Sequence, residues 1–330
     1  MDGNMLLYAA NVLVSFIITV ILGRIFIPVL KSVKMGQKIL DIGPRWHKSK
    51  EGTPTMGGLF FIASFAVAML TFGLYCAYKS SQLMLLGVNC LFVALCAVTG
   101  FIDDYVKFFK KQNEGLTPKQ KMFFQFLTAA IYLAGLRMCG ALSTVVVLPF
   151  AHIGIDFKIF FYIIAILGIV YVVNAVNLTD GIDGLCSGIT LVVMLALTVL
   201  ARHTENMIAL QICATVVGGM LGFLFYNFHP ARVFMGDTGS LFLGGVVVSV
   251  CFTMGYPVLV LFAGIVYVLE ALSVVIQVFS FKVFGKRVFK MSPIHHHFEM
   301  CGWGEVKIVM VFSAVALVFA ALGVWGYILI

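Results

Sequence analysis

Charged side chains are scarce in this chain. They make up 11% of its 330 residues, whereas a soluble domain carries roughly 25%, so an ordinary soluble fold is excluded. Long apolar runs take their place, and a run of about 20 residues can cross a bilayer as a helix. Ten such runs can be marked, at about 5–30, 57–78, 83–102, 123–139, 158–175, 186–201, 207–226, 241–256, 258–285 and 306–330. The sequence therefore predicts an all-α integral membrane protein with about ten transmembrane helices, as a single polytopic membrane domain over residues 1–330.

The sequence also lacks paired cysteines and a separate basic domain, and we expect no cleaved signal peptide. The eight cysteines include no C-x-x-C pair, which removes the usual zinc pattern and favours their interpretation as small apolar fillers. The first apolar run has neither a basic start nor a small-residue cleavage site, so we expect a retained helix. Without a separate basic domain, nucleic acid is not an expected partner.

The few basic residues are unevenly distributed among the loops. Sixteen lysines and arginines lie in or beside the loops that follow odd-numbered runs, and four lie in the loops that follow even-numbered runs. Because cytoplasmic loops are enriched in these residues, we predict that the odd loops are cytoplasmic and that both termini lie outside. The net charge of +8 then lies at the cytoplasmic membrane surface, where it suits anionic membrane lipids or an anionic substrate.

Polar residues gather in five clusters on the predicted cytoplasmic side. The clusters are Lys50 with Thr53 and Thr55, Asp103 with Asp104, Asn174 to Asp183, Asn227 to Asp237, and His295 to His297. Helix caps and border residues explain one or two such side chains, but not five groups. A transporter would hold its acids near the bilayer midplane, where we expect only Glu270. The pattern favours an enzyme with a cytoplasmic-face active-site cleft that acts on a lipid head group.

The residue types in these clusters point to phosphate chemistry with a metal ion. Carboxylate and amide oxygens without paired thiolates favour Mg²⁺ or Mn²⁺ over zinc. Consecutive histidines do not converge easily on one ion, so we expect His295 to His297 to donate hydrogen bonds to phosphate or to shape their loop. Lysines and helix N-termini also bind phosphate groups. The residues predict a metal-dependent phosphotransferase and leave its substrate open.

Two local patterns add to this picture. The β-branched segments 144–148 and 153–155 predict a short β-hairpin. Lys282, Lys286 and Lys290 recur every four residues, which predicts that the ninth span continues as a basic helix at the lipid interface.

Five short motifs carry a resemblance to a known family. They are Gly52-Thr-Pro-Thr-Met-Gly-Gly58, Asp103-Asp104-Tyr105, Asn177-Leu-Thr-Asp-Gly-Ile-Asp-Gly184, Phe234-Met-Gly-Asp-Thr-Gly-Ser240 and Pro293-Ile-His-His-His-Phe-Glu299. In this order, over nearly the whole chain, they resemble the bacterial phospho-N-acetylmuramoyl-pentapeptide transferases of the polyprenyl-phosphate N-acetylhexosamine-1-phosphate transferase superfamily. The resemblance implies transfer of phospho-MurNAc-pentapeptide from UDP-MurNAc-pentapeptide to undecaprenyl phosphate with Mg²⁺, giving lipid I and UMP for peptidoglycan synthesis. It also implies a multi-pass protein of the bacterial inner (plasma) membrane and a homodimer.

The same resemblance implies roles for individual residues. Asp237 would bind the metal, and Asp103 and Asp104 would form the acidic pair beside the lipid phosphate, where one version of the family mechanism places a base. The histidines that match catalytic positions of the cleft are His295, His296 and His297. The positions that match the nucleoside-diphosphate pocket are Lys50, Gly181, Asp183, Asn227 and Phe234, and Phe234 is available to stack on uracil. The other substrate-binding positions are Lys107, Lys121, Asn174, Asn177 and Asp180.

Elementary chemistry argues against a strong need for a base. The second pKa of a phosphate monoester is about 6, so the lipid phosphate is mostly a dianion at neutral pH. We therefore favour direct attack on the β-phosphate, with Asp103 or Asp104 positioning the head group and the lysines. A covalent aspartyl-phosphate intermediate is the mechanistic alternative. The functional alternatives are a UDP-GlcNAc:polyprenyl-phosphate GlcNAc-1-phosphate transferase, an ion-coupled transporter centred on Glu270, and a structural membrane scaffold.

Overall fold

The computed structural model describes residues 3–32, 52–110, 115–151 and 153–329, and these residues are almost entirely helical. The helices are α1 (Gly3–Ser32), α2 (Gly58–Ala68), α3 (Leu74–Lys79), α4 (Leu83–Lys110), α5 (Pro118–Met138), α6 (Phe160–Thr179), α7 (Leu185–His203), α8 (Met207–Asn227), α9 (Gly236–Thr253), α10 (Leu259–Ala263), α11 (Ile265–Phe284), α12 (Ile294–Glu299) and α13 (Glu305–Ile328). A π-helical segment, Met69–Gly73, joins α2 to α3. The all-α prediction is confirmed.

Nine helical segments in the described ranges are long and apolar enough to cross a membrane. The tenth predicted run, about 123–139, lies in α5, which has 21 residues but is not among the nine because its ends are basic. A helix of this length extends about 31 Å, close to the thickness of a bilayer core. The fold is that of a multi-pass membrane protein, while the side on which each terminus lies and the single-domain organisation stay predictions.

The prediction that a basic helix continues the ninth span to Lys290 is wrong. Helix α11 ends at Phe284, and Gly285 follows it with a φ of +65°, the left-handed conformation that commonly ends a helix. The side chain of Gln277 then accepts hydrogen bonds from the N–H groups of Val288 (3.0 Å) and Phe289 (2.9 Å). These bonds fold the segment back onto α11 before α12 begins.

The predicted hairpin is confirmed. Strands β1 (Val145–Leu148) and β2 (Ile153–Asp156) pair antiparallel, with Val145 opposite Asp156 and Leu148 opposite Ile153. The hydroxyl of Tyr327 in α13 donates to the carbonyl of Val147 at 3.0 Å. The hairpin is therefore attached to the last helix, at the end of the bundle opposite the polar clusters.

Most of the cysteines lie where apolar filler side chains would lie. All eight are free. Five of them, Cys76, Cys96, Cys186, Cys213 and Cys251, are buried. They fill space between helices, as small apolar side chains do.

Helix α9 lies at the centre of the bundle, in contact with α4 and α6. Small residues allow this close packing, because a Cβ on Gly244 would meet the backbone of Val173 in α6, and one on Gly245 would meet Cys96 in α4. A Cβ on Gly100 of α4 would overlap the carbonyl of Asp237. Close approach of backbones through small residues is typical of membrane helices. It brings the first turn of α9 beside the ends of α4 and α6.

Candidate functional site

Three carboxylates from two helices meet at one end of the bundle. Asp103 and Asp104 lie near the end of α4, and Asp237 lies in the first turn of α9. One ligand oxygen from each lies within 4.8 Å of the other two. Asp103 and Asp104 are buried, and Asp237 is partly exposed. We call this group the acid cluster.

Asp104 caps the N-terminus of α9. Its Oδ1 accepts a hydrogen bond from the backbone N–H of Asp237 (3.1 Å), and its Oδ2 accepts from the N–H (2.8 Å) and the hydroxyl (2.6 Å) of Thr238. These N–H groups have no partner within the helix, and a carboxylate also interacts favourably with the helix dipole. Gly236 has a φ of +72°, and a Cβ there would meet the Asp104 carboxylate. Asp104 therefore fixes the orientation of Asp237.

Asp237 accepts bonds from three side chains. The ammonium groups of Lys107 and Lys121 lie 2.9 and 3.0 Å from its Oδ2, and the amide of Asn177 donates to its Oδ1 at 2.8 Å. Asn177 is held in place by a second bond from the same amide to Ser240 Oγ, at 2.7 Å. The side chain of Asp237 is thus enclosed by α4, α5 and α6.

Asp103 is engaged on both oxygens. Its Oδ2 lies 2.6 Å from the Lys107 ammonium, and its Oδ1 accepts from the backbone N–H of Leu116 at 2.8 Å. The second bond ties the start of α5, capped by Thr117 and Gln120, to the end of α4. Asp103 therefore orients Lys107 directly. By holding the start of α5, it also helps to place Lys121, which lies in that helix.

Asp180 follows the end of α6, beside the acid cluster. Burial, with the negative charges of Asp237, Asp104 and Asp183, raises the pKa of Asp180 to about 8. Burial is the larger cause of this raised pKa, and repulsion from the neighbouring carboxylates adds to it. The stretch from Asn177 to Asp183 therefore contributes to the same negative field as the acid cluster.

Asp183 belongs to a second polar group that the sequence did not indicate. Its Oδ2 lies 3.0 Å from His229 Nδ1 and accepts from the N–H of Ala231 at 2.9 Å. Its own N–H donates to Glu305 Oε2 at 3.0 Å, and ligand atoms of Asp183, His229 and Glu305 lie within 4.8 Å of one another. The sequence signals were weak, namely a histidine before a proline and an acid in the first turn of α13.

Asn227 and Phe234 lie at the two ends of the loop between α8 and α9. Asn227 is buried, accepts from Ser187 Oγ at 2.8 Å and donates to the carbonyl of Val233 at 3.0 Å. Phe234 donates its N–H to the carbonyl of Pro54 (2.8 Å), and Gly57 donates to the carbonyl of Phe234 (2.8 Å). The motif that begins at Gly52 thus packs beside α9. Lys50 lies outside the described residues.

Glu270, whose partner the sequence did not name, pairs with His295. Its Oε2 lies 3.0 Å from His295 Nδ1, and both side chains are completely buried. Within the described part of the chain, Glu270 Oε1 and His295 Nε2 have no hydrogen-bond partner. A Cβ on Gly181 would overlap His295 Nε2, so His295 packs directly behind the Asn177–Gly184 stretch. The buried pair supports this stretch from inside the bundle.

The other two histidines have different partners. His296 Nδ1 lies 2.6 Å from Glu299 Oε2, and His297 Nδ1 accepts from the N–H of Lys290 at 3.1 Å. Each histidine contacts a different group, and these contacts help to hold α12 and its loop. Hydrogen bonding of the histidines to phosphate stays a prediction.

Asn174 contacts α5 and not the acid cluster. It exchanges two hydrogen bonds with Gln125 of α5, at 2.6 and 3.2 Å. It also donates to the carbonyl of Val170 at 2.8 Å. These contacts join α5 to α6, so Asn174 places Lys121 and Asn177 relative to each other.

The fold and the site together define a polytopic membrane protein with a site suited to a divalent cation and phosphate groups. Comparison with protein families gives a more specific assignment. A model described as glycosyl transferase family 4 matches residues 84–255, which include the acid cluster. A second, described as phospho-N-acetylmuramoyl-pentapeptide-transferase signature 1, matches residues 50–62.

Curated relatives match over almost their whole length. A phospho-N-acetylmuramoyl-pentapeptide-transferase of Halalkalibacterium halodurans is 45% identical over 319 residues, 96% of each chain. Proteins of the same name from Bacillus velezensis and Anoxybacillus flavithermus are 42% identical over 316 residues and 43% identical over 326 residues, with 96% and 98% of each chain covered. The chain belongs to the phospho-N-acetylmuramoyl-pentapeptide-transferase family.

The raised pKa of Asp180 predicts pH-dependent cation binding. Below about pH 8 Asp180 carries a proton, which a nearby cation has to displace, and above that pH its negative charge favours the cation. We expect the affinity of the substrate-free protein for Mn²⁺, measured by electron paramagnetic resonance, to rise about tenfold from pH 6.5 to 8.5. In Asp180→Asn this rise should shrink, and an equal rise in both proteins would contradict the interpretation.

Proposed function

We propose that this protein transfers phospho-MurNAc-pentapeptide from UDP-MurNAc-pentapeptide to undecaprenyl phosphate, releasing UMP and forming lipid I. The observation that carries the proposal is the meeting of Asp103, Asp104 and Asp237 with Lys107 and Lys121 at one end of the helix bundle. The names of the relatives support UDP-MurNAc-pentapeptide, and not UDP-GlcNAc, as the sugar nucleotide. The basic loops favour an active site on the cytoplasmic face of the inner (plasma) membrane. Assembly as a homodimer stays a prediction from the resemblance.

The residues of the acid cluster fit Mg²⁺, with Mn²⁺ as a substitute. Mg²⁺ prefers carboxylate oxygens and usually binds through one or two of them together with substrate phosphates. Asp237 is the best placed to hold it, because its carboxylate is the one partly exposed, whereas Asp104 is committed to the start of α9. The ion would neutralise charge on the diphosphate during transfer.

The chain's own residues then position two anions for an in-line displacement. Lys107 and Lys121 attract the phosphate groups and orient them for the reaction. An oxygen of the lipid phosphate forms a bond to the β-phosphorus of UDP-MurNAc-pentapeptide. The bond from that phosphorus to the oxygen that bridges to the α-phosphorus breaks, and UMP leaves with the electron pair.

Asp103 acts in this scheme by positioning Lys107. Both of its oxygens already accept hydrogen bonds, and the lipid phosphate needs little help to lose a proton above pH 6. We therefore expect the kcat of Asp103→Asn to be about 100-fold lower than that of the wild-type protein. The loss should be the same at pH 6 and at pH 9. Recovery of activity at pH 9 would identify Asp103 as a general base instead.

One assay separates the functional alternatives. Purified protein is incubated with Mg²⁺, undecaprenyl phosphate and either UDP-MurNAc-pentapeptide or UDP-GlcNAc, and UMP release is measured. We expect UMP only with the first sugar nucleotide, and a loss of at least about 100-fold in Asp237→Asn. Asp156→Asn makes the same change on the hairpin and should retain full activity. Release of no UMP with either nucleotide would overturn the proposal.

A further inference from the structure

Two lysines occupy the oxygen of Asp237 that is best placed for a cation. The ammonium groups of Lys107 and Lys121 both lie on Oδ2, at 2.9 and 3.0 Å. Lys107 also contacts Asp103 Oδ2 at 2.6 Å, so its ammonium bridges two of the three carboxylates. Lys121 in turn lies 3.4 Å from Asn177 Oδ1. The two lysines belong to different helices, Lys107 to α4 and Lys121 to α5, and both contact the carboxylates.

A divalent cation on Asp237 is not compatible with this arrangement. A cation bound to Oδ2 would lie beside two ammonium groups in a partly buried site, where repulsion between like charges is only weakly screened. At least one lysine has to leave before, or as, the cation binds. Its new partner has to be an anion, because a charged ammonium released into a partly buried cleft without a partner is unfavourable.

We propose that Lys107 and Lys121 hold the cation position on Asp237 in the substrate-free protein and move onto phosphate oxygens of the substrates when a divalent cation binds. The identity of those phosphates rests on the proposed function. The exchange links the two binding events, because the lysines oppose the cation when no phosphate is present and cease to do so when phosphate binds them. By reciprocity, the cation strengthens phosphate binding by the same factor.

Substitution of one lysine tests the competition in the substrate-free protein. Mn²⁺ affinity is measured by electron paramagnetic resonance for the wild-type protein, Lys107→Met and Lys110→Met. Lys110 is exposed and lies three residues further along the same helix, so its substitution removes the same charge without removing a contact to Asp237. We expect Lys107→Met to bind Mn²⁺ about tenfold more tightly and Lys110→Met to change by less than about twofold. Unchanged or weaker binding in Lys107→Met would overturn the exchange.

A second measurement uses only the wild-type protein and so does not depend on the folding of a variant. An ammonium group held by carboxylates reacts slowly with an acylating reagent, because the reagent needs the free amine. Mass spectrometry should therefore find faster acylation of at least one of Lys107 and Lys121 when Mg²⁺ is raised to a concentration that saturates the site, with Lys110 and Lys119 unchanged as exposed controls. Equal or slower acylation of both cluster lysines would contradict the release.

The outcomes separate this inference from the proposed function. UMP release without any tightening in Lys107→Met leaves the function standing and removes the exchange. Tightening and faster acylation without UMP release leaves the exchange standing and removes the function. A wild-type protein that binds no Mn²⁺ at all overturns the exchange and the metal site together.

Discussion

The contact between the Asp104 carboxylate and the first turn of α9 is the interaction on which the site depends. It satisfies the N–H groups of Asp237 and Thr238, which have no partner within the helix. Gly100 and Gly236 leave room for it, because a side chain at either position would collide with this junction. The capping contact therefore decides where the Asp237 carboxylate lies and which way it points.

Charge balance is the second constraint. Three carboxylates within 4.8 Å of one another repel strongly in a partly buried site, and such a group persists only with cations or donors nearby. Two lysines and an asparagine supply them. In the exchange that we propose, a divalent cation on Asp237 would free at least one of these positive charges for the phosphate groups of the substrates.

The sequence was sufficient for the overall architecture and for the members of the acid cluster. Apolar runs predicted the helices, since every backbone group of a spanning segment has to be satisfied within it, and the hairpin followed from β-branched residues. Neighbouring acids and a glycine-flanked Asp237 pointed to one site. Local periodicity failed at the end of α11, where a tertiary contact from Gln277 outweighed the basic repeat. The spacing of the lysines therefore gave no information about where the helix ends.

The sequence could not predict which residues far apart in the chain would contact each other. Glu270 and His295 are 25 residues apart, and Asp183 and Glu305 are 122 apart, and no periodicity links them. The contact between Asn174 and Gln125 was equally unpredictable, and the substrate-binding role of Asn174 stays a prediction.

Anomalous diffraction from crystals soaked in Mn²⁺ tests the role of Asp237 most directly. We predict a peak close enough to the Asp237 carboxylate for direct coordination, with the ammonium group of at least one of Lys107 and Lys121 displaced from Oδ2. A peak only at the Asp183, His229 and Glu305 group, or the lysines still bound to Asp237 beside a fully occupied ion, would contradict it.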